Sequence, residues 1–331
     1  MLTGNKGYFS KVLKRGEWAL ADLLFQARIK KCRLPKSGSC ILLYHGIDDG
    51  NTARVNSKFI SENELRKQLS WLKQNAQIVS TKEAFEMKVA NDGFKVAISF
   101  DDGFANNCKY LLPIIEELEI PATIYISTIQ LLDENYLWPD AIDMYSRNGP
   151  FEIQFNGVKF KKTKNQYVDQ DGKNIKSIII ENGYVFAKQL FVSLGLKDDW
   201  LESYPEDHWR MMNEEEIKNV SKSDFITIGA HGISHDSFKY LTPEALKNEL
   251  TGSKKYLEDL TGDCIEEIAF PYGHYNKEVV DQVQEAGFNC QFSVQYLDEF
   301  GVLDQRVRDR LGNNPHISWF NQVRAIGNGR Y

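Results

Sequence analysis

The sequence predicts an α/β fold, a parallel sheet covered by helices and either open or closed into a barrel. Two observations predict it. Short apolar runs alternate with amphipathic stretches along most of the chain. The runs are also continuously apolar, as strands buried on both faces require. CILLYH (40–45) reads as the first strand. KVAISF (95–100), PATIYIS (121–127), DFITIGA (224–230), EEIAFP (266–271) and FNCQFSV (288–294) read as the later ones. Between them lie helices. ENELRKQLSWLKQ places Leu65, Leu69 and Leu72 on one face. NNCKYLLPIIEELE is a helix that carries Pro113. In LTPEALKNELTGSKKYLEDLTG, Thr242 can cap, Pro243 fits the first turn and Gly262 can end the helix. NKEVVDQVQEAG is the next helix. Parallel strands joined in this way take right-handed crossovers.

The alternation breaks between about residues 134 and 210. This stretch is polar and irregular and reads as an insertion in a loop of the α/β domain. Within it, FEIQFNGVKFKK resembles a small hairpin with Asn156-Gly157 at its turn. The expected organisation is an amphipathic, basic segment over residues 1–38 and one domain over 39–331 that carries the insertion.

Bulk properties narrow the function. The 331 residues are 42% hydrophobic and 26% charged, an ordinary globular composition. A net charge of -6 argues against nucleic acid as a partner. Cysteines 32, 40, 108, 264 and 290 form no CxxC pair, which argues for reduced thiols. MLTGNKGYFSKVLKRGEW lacks an apolar run followed by small residues, so no signal peptide is expected. No stretch approaches a membrane span. The expected location is the cytoplasm. WALADLLFQARIKK reads first as a helix packed on the body of the protein. Peripheral membrane contact is its second reading, because Lys6, Lys11, Lys14, Arg15, Arg28, Lys30, Lys31 and Arg33 crowd this end.

In parallel α/β folds, chemistry gathers at the carboxyl ends of the strands. His45 follows CILLY, and Asp101-Asp102-Gly103 follows VAISF. HGISH, with His231 and His235, follows FITIGA. Pro271, Tyr272 and His274 follow EIAF. Two imidazoles four residues apart can converge on one cation, and a carboxylate from another strand completes a facial set. Such a set leaves positions open for water and substrate. If one aspartate ligates, its charge is neutralised and its neighbour stays free as a general base. Taken singly, each motif is weak. HxxxH is common on surfaces, Asp-Asp-Gly is more often a turn, and His45 alone reads as a core histidine. Their shared position carries the argument.

SFDDG, GAHGISH and FPYG, in that order and each after a strand, resemble the NodB-type polysaccharide deacetylases, carbohydrate esterase family four. ILLYHGI, SKFISENELRKQLSWLKQ and IVSTKEAF resemble the start of many members. The resemblance covers roughly residues 40–131 and 211–296. It implies a distorted (β/α) barrel of about seven parallel strands and a deacetylase of N-acetylated sugars. It implies one divalent metal, zinc first, with cobalt, nickel or manganese as alternatives. By position, Asp101 is the implied base, and Asp102, His231 and His235 are the implied ligands. The Pro271-Tyr272-Gly273 turn is implied to bind substrate, with the Tyr272 backbone N–H donating to the oxyanion. Three features depart from the family. Gly232 stands where Ser or Thr commonly follows the first ligand histidine. No arginine precedes Pro271, which leaves Arg308 or Arg310 to orient the base. The late histidine motif is absent, which leaves His45, His274 or His316 as the general acid. Trp138, Tyr136 and Trp209 offer faces to a sugar ring, with core packing the plainer reading. The expected substrate is an N-acetylated sugar, an oligosaccharide or a lipid-linked glycan. Hydrolysis of an O-acetyl ester, a formamide or a cyclic amide is a rival reading, and so is a silent glycan-binding protein.

Overall fold

The computed structural model describes residues 4–27, 31–50, 56–87, 93–197, 199–294 and 304–329. Arg28 and Lys30 of the basic N-terminal set lie outside the described residues. Seven parallel strands close into a barrel: β1 (Ser37–Tyr44), β2 (Gly93–Phe100), β3 (Ala122–Ile126), β4 (Ile226–Ala230), β5 (Glu267–Ala269), β6 (Cys290–Val294) and β7 (Val307–Gly312). β1 pairs with β2 along its whole length, from Ser37↔Gly93 to Tyr44↔Phe100. On its other side it pairs with β7 through Leu42↔Leu311, which shuts the barrel. A short strand, Gln77–Val79, shares one edge of β2 with β3.

Six of these strands lie where the apolar runs placed them. β7 was not anticipated, because VRDRLG is not an apolar run. Its register is unambiguous, with Gln291↔Val307 through Val294↔Arg310 on β6. The polar residues have internal work. Arg310 is wholly buried inside the barrel. Lower down, buried Glu267 accepts hydrogen bonds from Thr81 Oγ1 (2.6 Å) and the Tyr125 hydroxyl (2.8 Å).

The helices follow their caps. Thr242 accepts from the Ala245 N–H, and Gly262 ends Pro243–Thr261 with φ 80°. The expected helix after the FDDG turn begins instead as a π-turn over Asn107–Leu111 and turns α at Leu112–Leu118, with Pro113 in its first turn. The amino-terminal helix Gly4–Gln26 packs on the final helix, Trp319–Asn328. Phe25 stacks on Phe320 at 4.5 Å, and the Asn321 amide donates to Asp22 Oδ1 at 2.8 Å. Among the described residues, no helix is long and apolar enough to cross a membrane.

The insertion is not irregular. Its helix Trp138–Asn148 is followed by an antiparallel sheet of Glu152–Phe155, Val158–Thr163 and Gln166–Val168, then by helices Ile175–Asn182 and Tyr184–Ser193. The hairpin turns at Asn156 and Gly157, both left-handed at φ 48° and 77°, as a two-residue turn requires. Trp138, Ile142, Phe160, Tyr167 and Leu190 form a core separate from the barrel's. From Ile153 to Tyr167 the core residues are scattered through polar sequence, which is why the stretch looked irregular.

Candidate active site

A cavity of about 480 Å³ opens at the carboxyl ends of the barrel strands. The barrel side is lined by His45, Lys58, Asp101, Asp102, His231, His235 and Tyr272. Pro139, Lys176 and Ile180 of the insertion form the opposite wall.

The FDDG turn separates its two carboxylates. The Asp101 N–H donates to the Tyr44 carbonyl at 2.9 Å, which extends the β1–β2 ladder by one residue. Asp102 then turns left-handed at φ 77°, and Gly103 follows at φ 86°. A Cβ on Gly103 would stand 3.0 Å from Ile126 Cγ2, so the turn needs glycine for space as well as conformation. The side chains of Asp101 and Asp102 consequently leave in different directions.

Asp101 points at Arg310. The guanidinium grips it with both arms, at 2.6 and 2.7 Å. Arg310 also donates to the Ser293 carbonyl and to Ser99 Oγ, each at 3.3 Å. Burial pushes the Asp101 carboxyl up, but Arg310, and after it His231, hold it below the usual carboxylate value. Of the two arginines considered for this partner, Arg308 lies elsewhere and donates to the Phe85 carbonyl.

Asp102 faces the two histidines. Its Oδ1 is 3.1 Å from His235 Nε2 and 3.5 Å from His231 Nε2. Its Oδ2 is 3.0 Å from Lys58 Nζ. Burial opposes its charge, yet Lys58 and the two imidazoles hold it well below the ordinary value. His231 Nδ1 donates to the Ala269 carbonyl at 2.8 Å, which turns its Nε2 lone pair toward Asp102. His235 Nδ1 is 3.1 Å from the Tyr272 hydroxyl, so a cation on Nε2 would make this N–H the donor. The three ligand atoms lie within 4.8 Å of one another, and all three residues are buried. Two imidazoles and a carboxylate with fixed tautomers fit a divalent cation. Gly232, between the histidines, has φ 76°, and a Cβ there would lie 2.8 Å from Glu249 Oε2. That explains glycine at this position.

The remaining expected residues divide. His45 lines the cavity, and burial pushes its imidazole down to about 4, so it is neutral near pH 7. His274 is bonded to Ser237 Oγ at 2.9 Å and does not line the cavity. His316 is exposed on the loop after β7 and also does not line it. Trp138 is 1% exposed and packs 6.2 Å from the Tyr272 ring, inside the insertion core. Trp209 is buried in the same core, and Tyr136 packs against it. Pro271 and Tyr272 form the turn below His235, with Tyr272 left-handed at φ 60°. Lys58 and its partner Asp140 were not anticipated. A lysine in VNSKF carries no sequence signal, and only the fold brings it to Asp102.

Comparison with known proteins agrees with this fold. The family pattern described as Polysaccharide deacetylase matches residues 88–179 and 197–291. YxkH of Bacillus subtilis (strain 168), which carries a polysaccharide deacetylase name, is 22% identical over 263 residues, 78% of this chain. The match spans 63% of that protein's length. The poly-beta-1,6-N-acetyl-D-glucosamine N-deacetylase of Staphylococcus aureus (strain MSSA476) is 22% identical over 280 residues, 80% of this chain and 75% of its own. Among solved structures, IcaB from Ammonifex degensii superposes with a TM-score of 0.55 at 17% identity, covering 89% of this chain and 99% of that one. The Streptococcus pyogenes deacetylase PplD, solved with acetate, gives 0.53 at 14% identity, covering 88% and 99%. These structural likenesses speak for the fold, and the family pattern spans more than half of the sequence. The chain belongs to the polysaccharide deacetylase family.

Proposed function

We propose that the protein is a carbohydrate N-deacetylase that removes the acetyl group from an amino sugar of a glycan or glycan precursor. One observation carries the reading. A carboxylate fixed by an arginine and a buried Asp/His/His set share a single cavity. The family and the named relatives support the enzyme class.

Asp102, His231 and His235 would hold one divalent cation, zinc as the first choice. When bound, the cation supplies Lewis acidity to the acetyl carbonyl and to the attacking water. Asp101 accepts the proton of that water. Arg310 keeps Asp101 ionised and aimed, since both carboxylate oxygens are held. The Tyr272 backbone N–H donates to the developing oxyanion. Of the three histidines considered as the acid, His45 alone lines the cavity, and being neutral near pH 7 it can pass to the leaving amine only a proton that it first accepts, such as the one Asp101 takes from the water. The insertion wall of Pro139, Lys176 and Ile180 shapes the sugar site.

The test combines metal content with acetate release. The protein is stripped with a chelator, then given Zn, Co, Ni or Mn and assayed on N-acetylated oligosaccharides. Activity should vanish with the metal and return with one of the four. Asp101→Asn should still bind metal and lose roughly 10²–10⁴-fold in kcat. Full activity in that variant would sink the assignment of the base. Release of formate, or of acetate from O-acetyl sugars alone, would favour the rival acyl bonds. Tight sugar binding without any turnover would favour a silent binding protein.

We further propose a cytoplasmic enzyme that touches the membrane through its first helix. Leu20, Leu23 and Phe25 there are 59%, 62% and 41% exposed, with Lys14 and Arg15 on the same helix. Such contact suits a lipid-linked glycan. Co-sedimentation with anionic vesicles tests it, and Leu20→Asp with Leu23→Asp should abolish it.

A further inference from the structure

We propose that Lys58 is a positioning residue of the cation site, holding one oxygen of Asp102 so that only the other can serve as ligand. The inference rests on the metal-dependent reading above.

The two oxygens of Asp102 face opposite partners. Oδ1 looks at the Nε2 atoms of His235 and His231, at 3.1 and 3.5 Å. Oδ2 is taken by Lys58 Nζ at 3.0 Å. The lysine does not swing freely. Its other side meets Asp140 at 3.1 Å, and Asp140 is itself 2% exposed and accepts from the Asn56 amide at 2.6 Å. Asp140 belongs to the insertion helix Trp138–Asn148. The insertion therefore reaches the centre through two consecutive ion pairs.

A carboxylate can bind a cation through one oxygen or both. With Oδ2 committed to an ammonium, Asp102 offers Oδ1 alone, and the protein supplies three donor atoms. That count keeps positions open for water and substrate. The ammonium also opposes a second positive charge nearby. Lys58 thus lowers cation affinity in exchange for an open, single-oxygen site. Without it, Asp102 is free to chelate with both oxygens, and the site binds tighter but works worse.

The test reads the site with metal alone. Zinc affinity is measured by competition with a chromophoric chelator, and coordination by the visible absorption of the Co(II) protein. Lys58→Met should bind zinc more tightly, on the order of 10–100-fold, because a positive charge beside the cation is removed. Its cobalt bands should weaken, as they do when a four-coordinate ion gains a ligand, and kcat should fall. Lys58→Arg should restore the wild-type spectrum, because a guanidinium can hold the same oxygen. Asp140→Asn, which removes only the brace, should shift both readouts part of the way and serves if Lys58→Met does not fold. Zinc affinity equal to or below wild type with an unchanged cobalt spectrum, in whichever variant folds, overturns the proposal. A wild-type protein that binds no zinc overturns the metal reading itself, a separate result.

Discussion

Asp101 and Asp102 are chain neighbours that look into two different regions. Asp101 faces the barrel interior, where its partner Arg310 is wholly buried and bonded at every arm. Asp102 faces the rim, where it is shared by two imidazoles and by Lys58, whose side chain is 31% exposed. Two adjacent carboxylates ordinarily raise each other's pKa. Here each has its own counter-charge, and the left-handed turn at Asp102 sends them apart. The difference separates two tasks. The interior carboxylate has both oxygens held by one buried guanidinium, which suits the aimed base proposed above. The rim carboxylate divides its oxygens between two imidazoles and an ammonium, which suits the proposed ligand.

The contrast can be broken first at Arg310. Arg310→Met leaves Asp101 as a buried charge without its partner, at a cost of about 3–5 kcal/mol in stability. Thermal denaturation measures it. The same variant removes the main influence that lowers Asp101, so the acidic limb of the pH–rate profile should move to higher pH. An unchanged melting temperature would mean that Arg310 does not stabilise the buried charge of Asp101.

Acid sharpens the comparison at a smaller scale. Asp101 and Asp102 are both held below about 3.8, so their contribution is complete above that pH and is lost only below it. His45 behaves otherwise. Its folded value of about 4 lies under the unfolded 6.5, so the unfolded chain takes up a proton that the folded one refuses. Its share of stability is present above pH 6.5 and drains away as the pH falls toward 4. His274, also pushed down to about 4 by burial, acts in the same window. Asp236, pushed up to about 7 by burial, gains stability over the same range, so the reading is differential: the urea midpoint of the wild type relative to His45→Gln should fall between pH 7 and pH 4.5. A fall that begins only below pH 4 would return the effect to the aspartates.

The smallest effect lies in the insertion, far from both carboxylates. Gly157→Ala, at φ 77°, should cost about 1 kcal/mol in the hairpin and leave kcat unchanged. A change in kcat would mean that the hairpin is coupled to the site.

Much of this was legible in the sequence, for physical reasons. Barrel strands covered by helices must be apolar on both faces, so six of them stand out as runs. Strand ends gather at one rim, so the Asp101-Asp102 pair, His231 and His235 could be grouped before any contact was known, while the choice of Asp102 as ligand rested on the family resemblance. β7 escaped because its Arg310 serves the interior, and a strand that carries a buried charge breaks the apolar pattern. Arg310 could be named as a partner for Asp101 but not chosen over Arg308. The choice depends on which face of β7 points inward. The insertion hid its core because the part that supplies Ile153, Phe155, Phe160 and Tyr167 is otherwise polar. Lys58 and Asp140 were invisible because their pairing depends on how the insertion docks.

The bidentate pair joins residues 209 positions apart, and Arg310 lies on the last strand to enter the barrel. A chain made from its amino terminus therefore carries Asp102, His231 and His235 before Arg310 is available to Asp101. Until Val307–Gly312 slides between β1 and β6, two strand edges stay open and Asp101 has no guanidinium beside it. Such late, long-range closure is slow. On the proposed mechanism, the base is complete only once this strand is docked. A nascent or nicked chain that lacks it would keep the proposed ligands and lack the partner of the proposed base.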